Sequence, residues 1–288
     1  MPNLKDIKRK IQSVKNTQQI TKAMKLVAAS KLRKAQKAIQ DARPYALEMR
    51  DMLNHISARC NPDLHALLDQ RDGDNIVVLV VTADKGLCGG FNGNIIRRAV
   101  KVIAENQDKN LSLILAGKKG KDYFRHRPHK IIHEFMDWTR DFNYAKALEI
   151  GDLLAELYVG KTVDKIVMIY NEFKSVMQQK VVVEQLLPVV PEPLDKEEIK
   201  NLVEYIYEPD EETILDTLLK RHMTVQVYRA FLESGASEQG ARMTAMDSAS
   251  RNAGDMINDL SLTYNKARQA YITKELIEIV NGAEALKA

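Results

Sequence analysis

The sequence predicts an α/β protein in which a central domain of alternating strands and helices lies between two long terminal helices that form a coiled coil. Three observations lead there. An apolar heptad seam runs through the first 60 residues. A second runs through the C-terminal segment. Between them, short strand-like runs alternate with helical periods over about 110 residues, the pattern of a mainly parallel sheet.

The N-terminal seam is read by steps of three and four: Leu4, Ile7, Ile11, Val14, Gln18, Thr21, Lys25, Ala28, Leu32, Ala35, Ile39, Ala42, Ala46, Met49, Leu53, Ile56 and Cys60. Fourteen of these 17 are apolar, and the three exceptions are adjacent in the series. This is coiled-coil spacing, on a helix roughly 80 Å long at 1.5 Å per residue. No glycine interrupts it, and Pro44 marks a kink or weak point. Polar residues at Gln18, Thr21 and Lys25 have two readings: they fix register against a partner helix, or the stretch leaves that helix to meet another protein.

The middle reads in order as strand Ile76–Thr82, a glycine-rich loop, helix Asn94–Glu105, strand Leu111–Ala116, helix Lys119–Arg125, strand Lys130–Phe135, helix Tyr144–Tyr158, and strands Lys165–Tyr170 and Val181–Leu187. Pro188, Pro191 and Pro193 form a linker, with one more short strand at Val203–Tyr207. The C-terminal helix opens at Pro209 and Asp210, a stop and an N-cap, with Glu211 and Glu212 complementing the helix dipole. Its seam is Leu232, Ala236, Gln239, Met243, Met246, Ser250, Ala253, Ile257, Leu260, Tyr264, Ala267 and Tyr271. Small residues crowd Ser234–Gly254, which makes a thin rod or admits close approach by a partner. The two seams most simply pair with each other, and self-dimerisation through each is the runner-up. The segments so defined are 1–60, 74–195 and 210–285.

The 288 residues are 45% hydrophobic and 28% charged, ordinary for a folded chain. The longest apolar run, Ile76–Val81, is far short of a membrane span. The start, Met-Pro-Asn-Leu-Lys, lacks the apolar core of a secretion signal, and helical periodicity from residue 4 argues against a transit peptide. Two cysteines, Cys60 and Cys88, exclude a disulfide scaffold or a cysteine zinc cluster. The net charge of +4 is uneven: residues 1–43 hold 12 Lys and Arg against Asp6 and Asp41. That end suits an acidic partner, or is a solvated helix face. Nucleic acid is the alternative partner, but residues 1–44 contain no aromatic residue for base stacking.

Candidate chemistry is sparse. Gly86, Gly89, Gly90 and Gly93 lie in a strand-to-helix loop, a place where backbone N–H groups hold phosphate. Their spacing matches neither G-x-G-x-x-G nor G-x-x-x-x-G-K-[ST], and a tight turn needing positive φ explains them better. His126, His129 and His133 lack the carboxylate or thiolate that would complete a metal site. No nucleophile motif is present. The chain is therefore expected to be non-catalytic, with no cofactor and no metal.

Four separated stretches carry a family resemblance. They are Ile20–Arg33 (ITKAMKLVAASKLR), Thr82–Asn92 (TADKGLCGGFN), Ala236–Met246 (ASEQGARMTAM) and Tyr264–Ala285, whose Ile272–Ala283 fits I-T-x-E-x-x-[DE]-x-x-x-G-A. From end to end the chain resembles the gamma subunit of F-type, proton-translocating ATP synthases of the bacterial type.

The resemblance implies a long antiparallel coiled coil of N- and C-terminal helices plus a central Rossmann-like α/β domain. It implies a central-stalk rotor standing in a ring of alpha and beta subunits, beside epsilon and on the membrane c-ring, with delta a further candidate partner. Proton flow would turn it, catalysis would belong to beta, and membrane contact would be indirect. The location implied is the cytoplasmic face of a bacterial plasma membrane. The resemblance places Met24, Lys25 and Arg242 near acidic beta loops, and Gln269, Thr273, Glu275 and Glu278 near upper contacts with alpha and beta. The paired cysteines of the chloroplast form are missing, so no thiol switching is expected.

Overall fold

The structure is a computed structural model of the chain and describes residues 4–57, 65–140, 142–190 and 210–285. Its elements are α1 (Leu4–Ser57), β1 (Asn75–Val81), α2 (Phe91–Glu105), β2 (Asn110–Ala116), α3 (Lys118–Phe124), β3 (Lys130–Phe135), α4 (Tyr144–Val159), β4 (Lys165–Phe173), β5 (Gln179–Leu187) and α5 (Glu211–Ala285). Cys60, Pro191, Pro193, the Val203–Tyr207 strand and Pro209 lie outside the described residues. The chain divides into two compact units, Ala29–Arg242 and Met1–Ala28 with Met243–Ala288.

In the Ala29–Arg242 unit the sheet order is β3-β2-β1-β4-β5. The first four strands run parallel, and β5 returns antiparallel to β4 as a hairpin. Alternation along β1 fills two cores at once: Val77, Leu79 and Val81 face one, Ile76, Val78 and Val80 the other. The second core is closed by α2, which buries Phe91, Ile95, Ala99 and Val102 at helical spacing. The first is closed by α4, the end of α1 and the first part of α5, with Tyr158, Leu53, Ile56, Leu215, Leu219 and Phe231 buried in it. A parallel strand buried on both faces must be apolar throughout, which is why β1 reads as one continuous run.

Helix α2 begins three residues before the position read from sequence. Phe91 is buried as its first residue, and Asn92 turns its amide back to accept from the backbone N–H of Ala83 at 2.9 Å. Helix α1 continues as α-helix through Pro44. Asp210 caps α5 as expected, its carboxylate accepting from the N–H and the hydroxyl of Thr213 at 2.9 and 2.8 Å.

The two seams meet each other, so self-dimerisation is not needed to bury them. In the Met1–Ala28 and Met243–Ala288 unit, Gln18 reaches the carbonyl of Ser250 and Lys25 pairs with Asp247. Rising numbers on α1 meet falling numbers on α5, so the helices are antiparallel. Every described seam residue of α1 from Leu4 to Ile56 is buried or half-buried. Seam residues of α5 are likewise covered from Leu232 to Ala267, and only Tyr271 is exposed.

Candidate functional site

Three places carry the residues of interest. The first is the loop after β1. Strand order reverses between β1 and β4, since the chain moves outward through β2 and β3 and then returns to the other side of β1. Beyond the carboxyl ends of such a strand pair lies the crevice where folds of this type hold ligands. Here the chain's own α5 fills it. Ser237 donates to the carbonyl of Asn171 at 3.1 Å, Glu233 accepts from the N–H of Phe173 at 2.8 Å, and Arg242 donates to the carbonyl of Gly86 at 3.2 Å.

The loop is also consumed by its own bonds. Asp84 accepts from the backbone N–H of Lys118, Asp137 and Thr139 and from the Thr139 hydroxyl, at 2.9–3.3 Å. Thr82 is fully buried, donates to the carbonyl of Ala116 and accepts from the N–H of Gly120 at 2.8 Å, while its carbonyl accepts from the Trp138 indole. A phosphate would have to displace this network. The loop therefore fastens β1, α3 and the segment before α4, and the phosphate reading is set aside. Of its four glycines only Gly89 has positive φ, +55°, and Leu87 at +61° shares that region. Cys88 is buried, and burial pushes its thiol up from the ordinary value. The three histidines have separate roles: His129 packs on Phe124, His133 on Phe135, and His126 accepts from Arg125.

The second place is the polar break of the α1 seam. Gln18, Thr21 and Lys25 do not leave the partner helix. Thr21 is buried with its hydroxyl on the carbonyl of Gln18. Gln18 Nε2 donates to the carbonyl of Ser250 at 3.3 Å, and a Cβ on Gly254 would come within 3.0 Å of that amide. Lys25 Nζ lies 2.5 Å from Asp247 Oδ1, and Arg251 supports Asp247 from the next turn at 3.2 Å. The ammonium of Lys25 holds the Asp247 carboxyl below its usual range. The register reading is the one that the geometry favours. Met24 beside them is half-buried, and Ile20, Leu26 and Val27 are exposed, an apolar surface the heptad reading passed over.

The third place is the end of α5. Every residue from Arg268 to Ala283 is exposed, about 24 Å of helix at 1.5 Å per residue. Gln269, Thr273, Glu275 and Glu278 all lie on it. Thr273 donates to the carbonyl of Gln269, and Glu278 lies 3.6 Å from Lys274. Ile272, Leu276, Ile279 and Val280 recur at helical spacing and are 47–67% exposed. Such a stripe is the face an amphipathic helix turns to a partner.

Of the seven residues singled out from sequence, Met24 and Lys25 belong to the unit of the chain ends, as do Gln269, Thr273, Glu275 and Glu278, while Arg242 belongs to the other. The Arg242 side chain is only 11% exposed and pairs with Glu238 at 2.6 Å. Sequence reading missed Glu233 and Ser237. Their signal was the run of small residues around them, which marks a helix that another element approaches closely.

Among the described residues no helix is long and apolar enough to cross a membrane, and no cluster of His, Cys, Asp and Glu is arranged to hold a metal ion.

The ATP synthase family model matches residues 3–286. The ATP synthase gamma chain of Chlorobium phaeobacteroides (strain BS1) is 46% identical over 293 residues, covering 100% of this chain and 99% of that one. The ATP synthase gamma chain of Anaeromyxobacter sp. (strain Fw109-5) is 49% identical over 292 residues, with full coverage of both. Among solved structures, a chain of the Tetrahymena thermophila mitochondrial ATP synthase central stalk and c-ring is similar with a TM-score of 0.63 and 27% identity, over 80% of this chain and 99% of that one. A chain of the Euglena gracilis mitochondrial ATP synthase shares the fold, with a TM-score of 0.73 at 20% identity over 98% and 94% of the two chains.

Proposed function

This chain belongs to the gamma-chain family of ATP synthases, and from that premise we propose that it is the central-stalk rotor of such an enzyme. The paired terminal helices are the shaft within a ring of alpha and beta subunits. The α/β domain meets epsilon and the c-ring, with delta a further candidate partner. Proton flow turns the ring and this chain with it, and the turning shaft drives the catalytic beta subunits through their conformations in sequence. The chain itself is non-catalytic: it transmits torque. It is peripheral, held at the cytoplasmic face of a bacterial plasma membrane through the c-ring.

The observation that carries this reading is the exposed end of α5. The family signature from Ile272 to Ala283 lies on helix that nothing in the described chain covers, with an apolar stripe and charged residues interleaved. An apolar stripe left in water along a helix is the face a partner covers, so this end is built to be covered by another subunit. The polar groups proposed for that contact are Gln269, Thr273, Glu275 and Glu278, with Met24 and Lys25 facing acidic beta loops; Arg242, held against Glu238 and the Gly86 carbonyl, serves that face by fixing α5 from within.

The alternative of a basic coiled-coil protein binding nucleic acid through residues 1–43 finds no support, since none of the relatives above is named for such binding. One experiment separates the two readings. Native purification of the tagged chain from membranes, with subunit masses and ATPase activity read together, is expected to recover three copies each of two larger ATP-binding chains. Recovery alone, or with nucleic acid and no ATPase, overturns the rotor reading.

A further inference from the structure

Helix α5 touches the edge of the sheet through a regular row of polar side chains. Arg229, Glu233 and Ser237 are spaced by four and so share one helix face. Arg229 grips both carboxylate oxygens of Glu184 on β5 at 2.7 and 2.9 Å. Glu184 in turn accepts from the Tyr170 hydroxyl at 2.7 Å. One turn on, Glu233 accepts from the backbone N–H of Phe173, and one turn further Ser237 donates to the carbonyl of Asn171. Glu233 and Ser237 are 9% and 0% exposed.

The surroundings let short side chains reach strand backbone. Ala230, Ser234 and Ala236 are buried with no exposed surface, and a Cβ on Gly240 would press to 3.3 Å from Phe173 Cε2. The small residues thus serve close approach of α5 to its own sheet.

We propose that Arg229, Glu233 and Ser237 are positioning residues that key α5 to the α/β domain, so that rotation entering at the sheet reaches the helix without slip. The proposal rests on the rotor reading above. Its physical basis is the difference between the two kinds of contact at this face. Apolar burial is non-directional and resists separation, yet leaves a helix able to turn or slide over a smooth core. Hydrogen bonds weaken steeply once bent. Three directional contacts on one face, two of them to main chain and the third fixed by a two-oxygen Arg–Glu grip, break together when α5 turns about its axis. Phe173 and Asn171 sit at the carboxyl end of β4, where it is paired with β5 alone, so the load enters the β4–β5 hairpin and passes along β4 to β1 and the rest of the sheet.

The test uses membrane vesicles that carry the assembled enzyme, with ATP hydrolysis and proton pumping measured on the same preparation. The variants are Glu233→Leu, Glu233→Gln and Ser237→Ala. The expected result is that Glu233→Leu still hydrolyses ATP but loses proton pumping per ATP hydrolysed. Glu233→Gln keeps an oxygen for the Phe173 N–H and pumps as the parent does. Ser237→Ala shows a smaller loss in the same ratio. A purely structural role would lower the amount of assembled enzyme and leave that ratio unchanged in what assembles. Unchanged ratios in Glu233→Leu and Ser237→Ala overturn the proposal. Where Glu233→Leu does not assemble, Ser237→Ala alone decides by the same ratio. Failure of the parent chain to purify with an ATPase is a different outcome, which removes the rotor reading and this inference with it.

Discussion

Glu238 holds one carboxylate oxygen 2.6 Å from Arg242, one turn further along α5, while its other oxygen, Oε2, is buried without a hydrogen-bond partner among the described residues. Burial raises the Glu238 carboxyl above its ordinary value, and Arg242 counters it. A carboxyl raised in the folded state binds its proton more tightly there than in the unfolded chain. Its contribution to stability is therefore present at acid pH and lost as pH rises through the raised value. Arg242→Met removes the countering charge. The expected loss is about 3 kcal/mol near neutral pH, as for a broken buried pair, and less below the ordinary carboxyl range. Adding Glu238→Gln recovers most of it. Urea unfolding of the purified chain at two pH values checks this, and a loss independent of pH refutes it.

His222 supplies a second pH dependence of opposite sense. Burial, with Arg229 and Arg50 nearby, lowers its imidazole to about 4. The unfolded chain then binds a proton between the ordinary value and about 4 while the folded chain does not. Stability falls as pH drops through that window. The full effect of a shift from 6.5 to about 4 is about 3 kcal/mol at 1.36 kcal/mol per unit. His222→Gln is expected to flatten the curve there, and an unchanged slope rejects the assignment.

Much of this was readable in the sequence, for a definite reason. The α1 seam repeats its pattern many times, so periodicity identifies it even through Gln18, Thr21 and Lys25. Strands β1 and β4 are covered on both faces and so read as apolar runs. What escaped was pairing across distance. Glu233 meets a backbone N–H 60 residues away, and a main-chain partner leaves no residue-type signature. The glycine loop admitted a phosphate reading because turn chemistry is shared between binding loops and fasteners, and its spacing already favoured the turn. The placement of Asp84 and Arg242 in three dimensions shows what the loop fastens.

Gly117 has φ +92°, and a Cβ there would lie 2.1 Å from the carbonyl oxygen of Thr82. Gly117→Ala combines backbone strain with a clash against main chain that has no room to move. The expected cost is about 3 kcal/mol or more, with α3 and the Thr82 loop showing faster amide hydrogen exchange. Gly93, in the first turn of α2, has nothing among the described residues within 4 Å of an added Cβ. Gly93→Ala is expected to stabilise by about 0.5 kcal/mol through helix propensity. Equal effects of the two substitutions on urea midpoints would contradict this account.

Lys25, Glu275 and Glu278 test the coupling surface itself. Glu275 and Glu278 lie on fully exposed helix, so removing either side chain takes away little that holds this chain together. Lys25→Ala deletes the pair with Asp247, but Arg251 still lies 3.2 Å from that carboxylate, so no unpaired buried charge results. Each of Lys25→Ala, Glu275→Ala and Glu278→Ala should therefore leave assembly intact. Proton-driven ATP synthesis should fall in each, by graded amounts, because torque is shared over several contacts. The measurement is synthesis rate per assembled enzyme in vesicles, with subunit content determined on the same sample. Synthesis at the parental rate in all three would remove these residues from the coupling surface and leave the apolar stripe of Ile272, Leu276, Ile279 and Val280 to carry the contact.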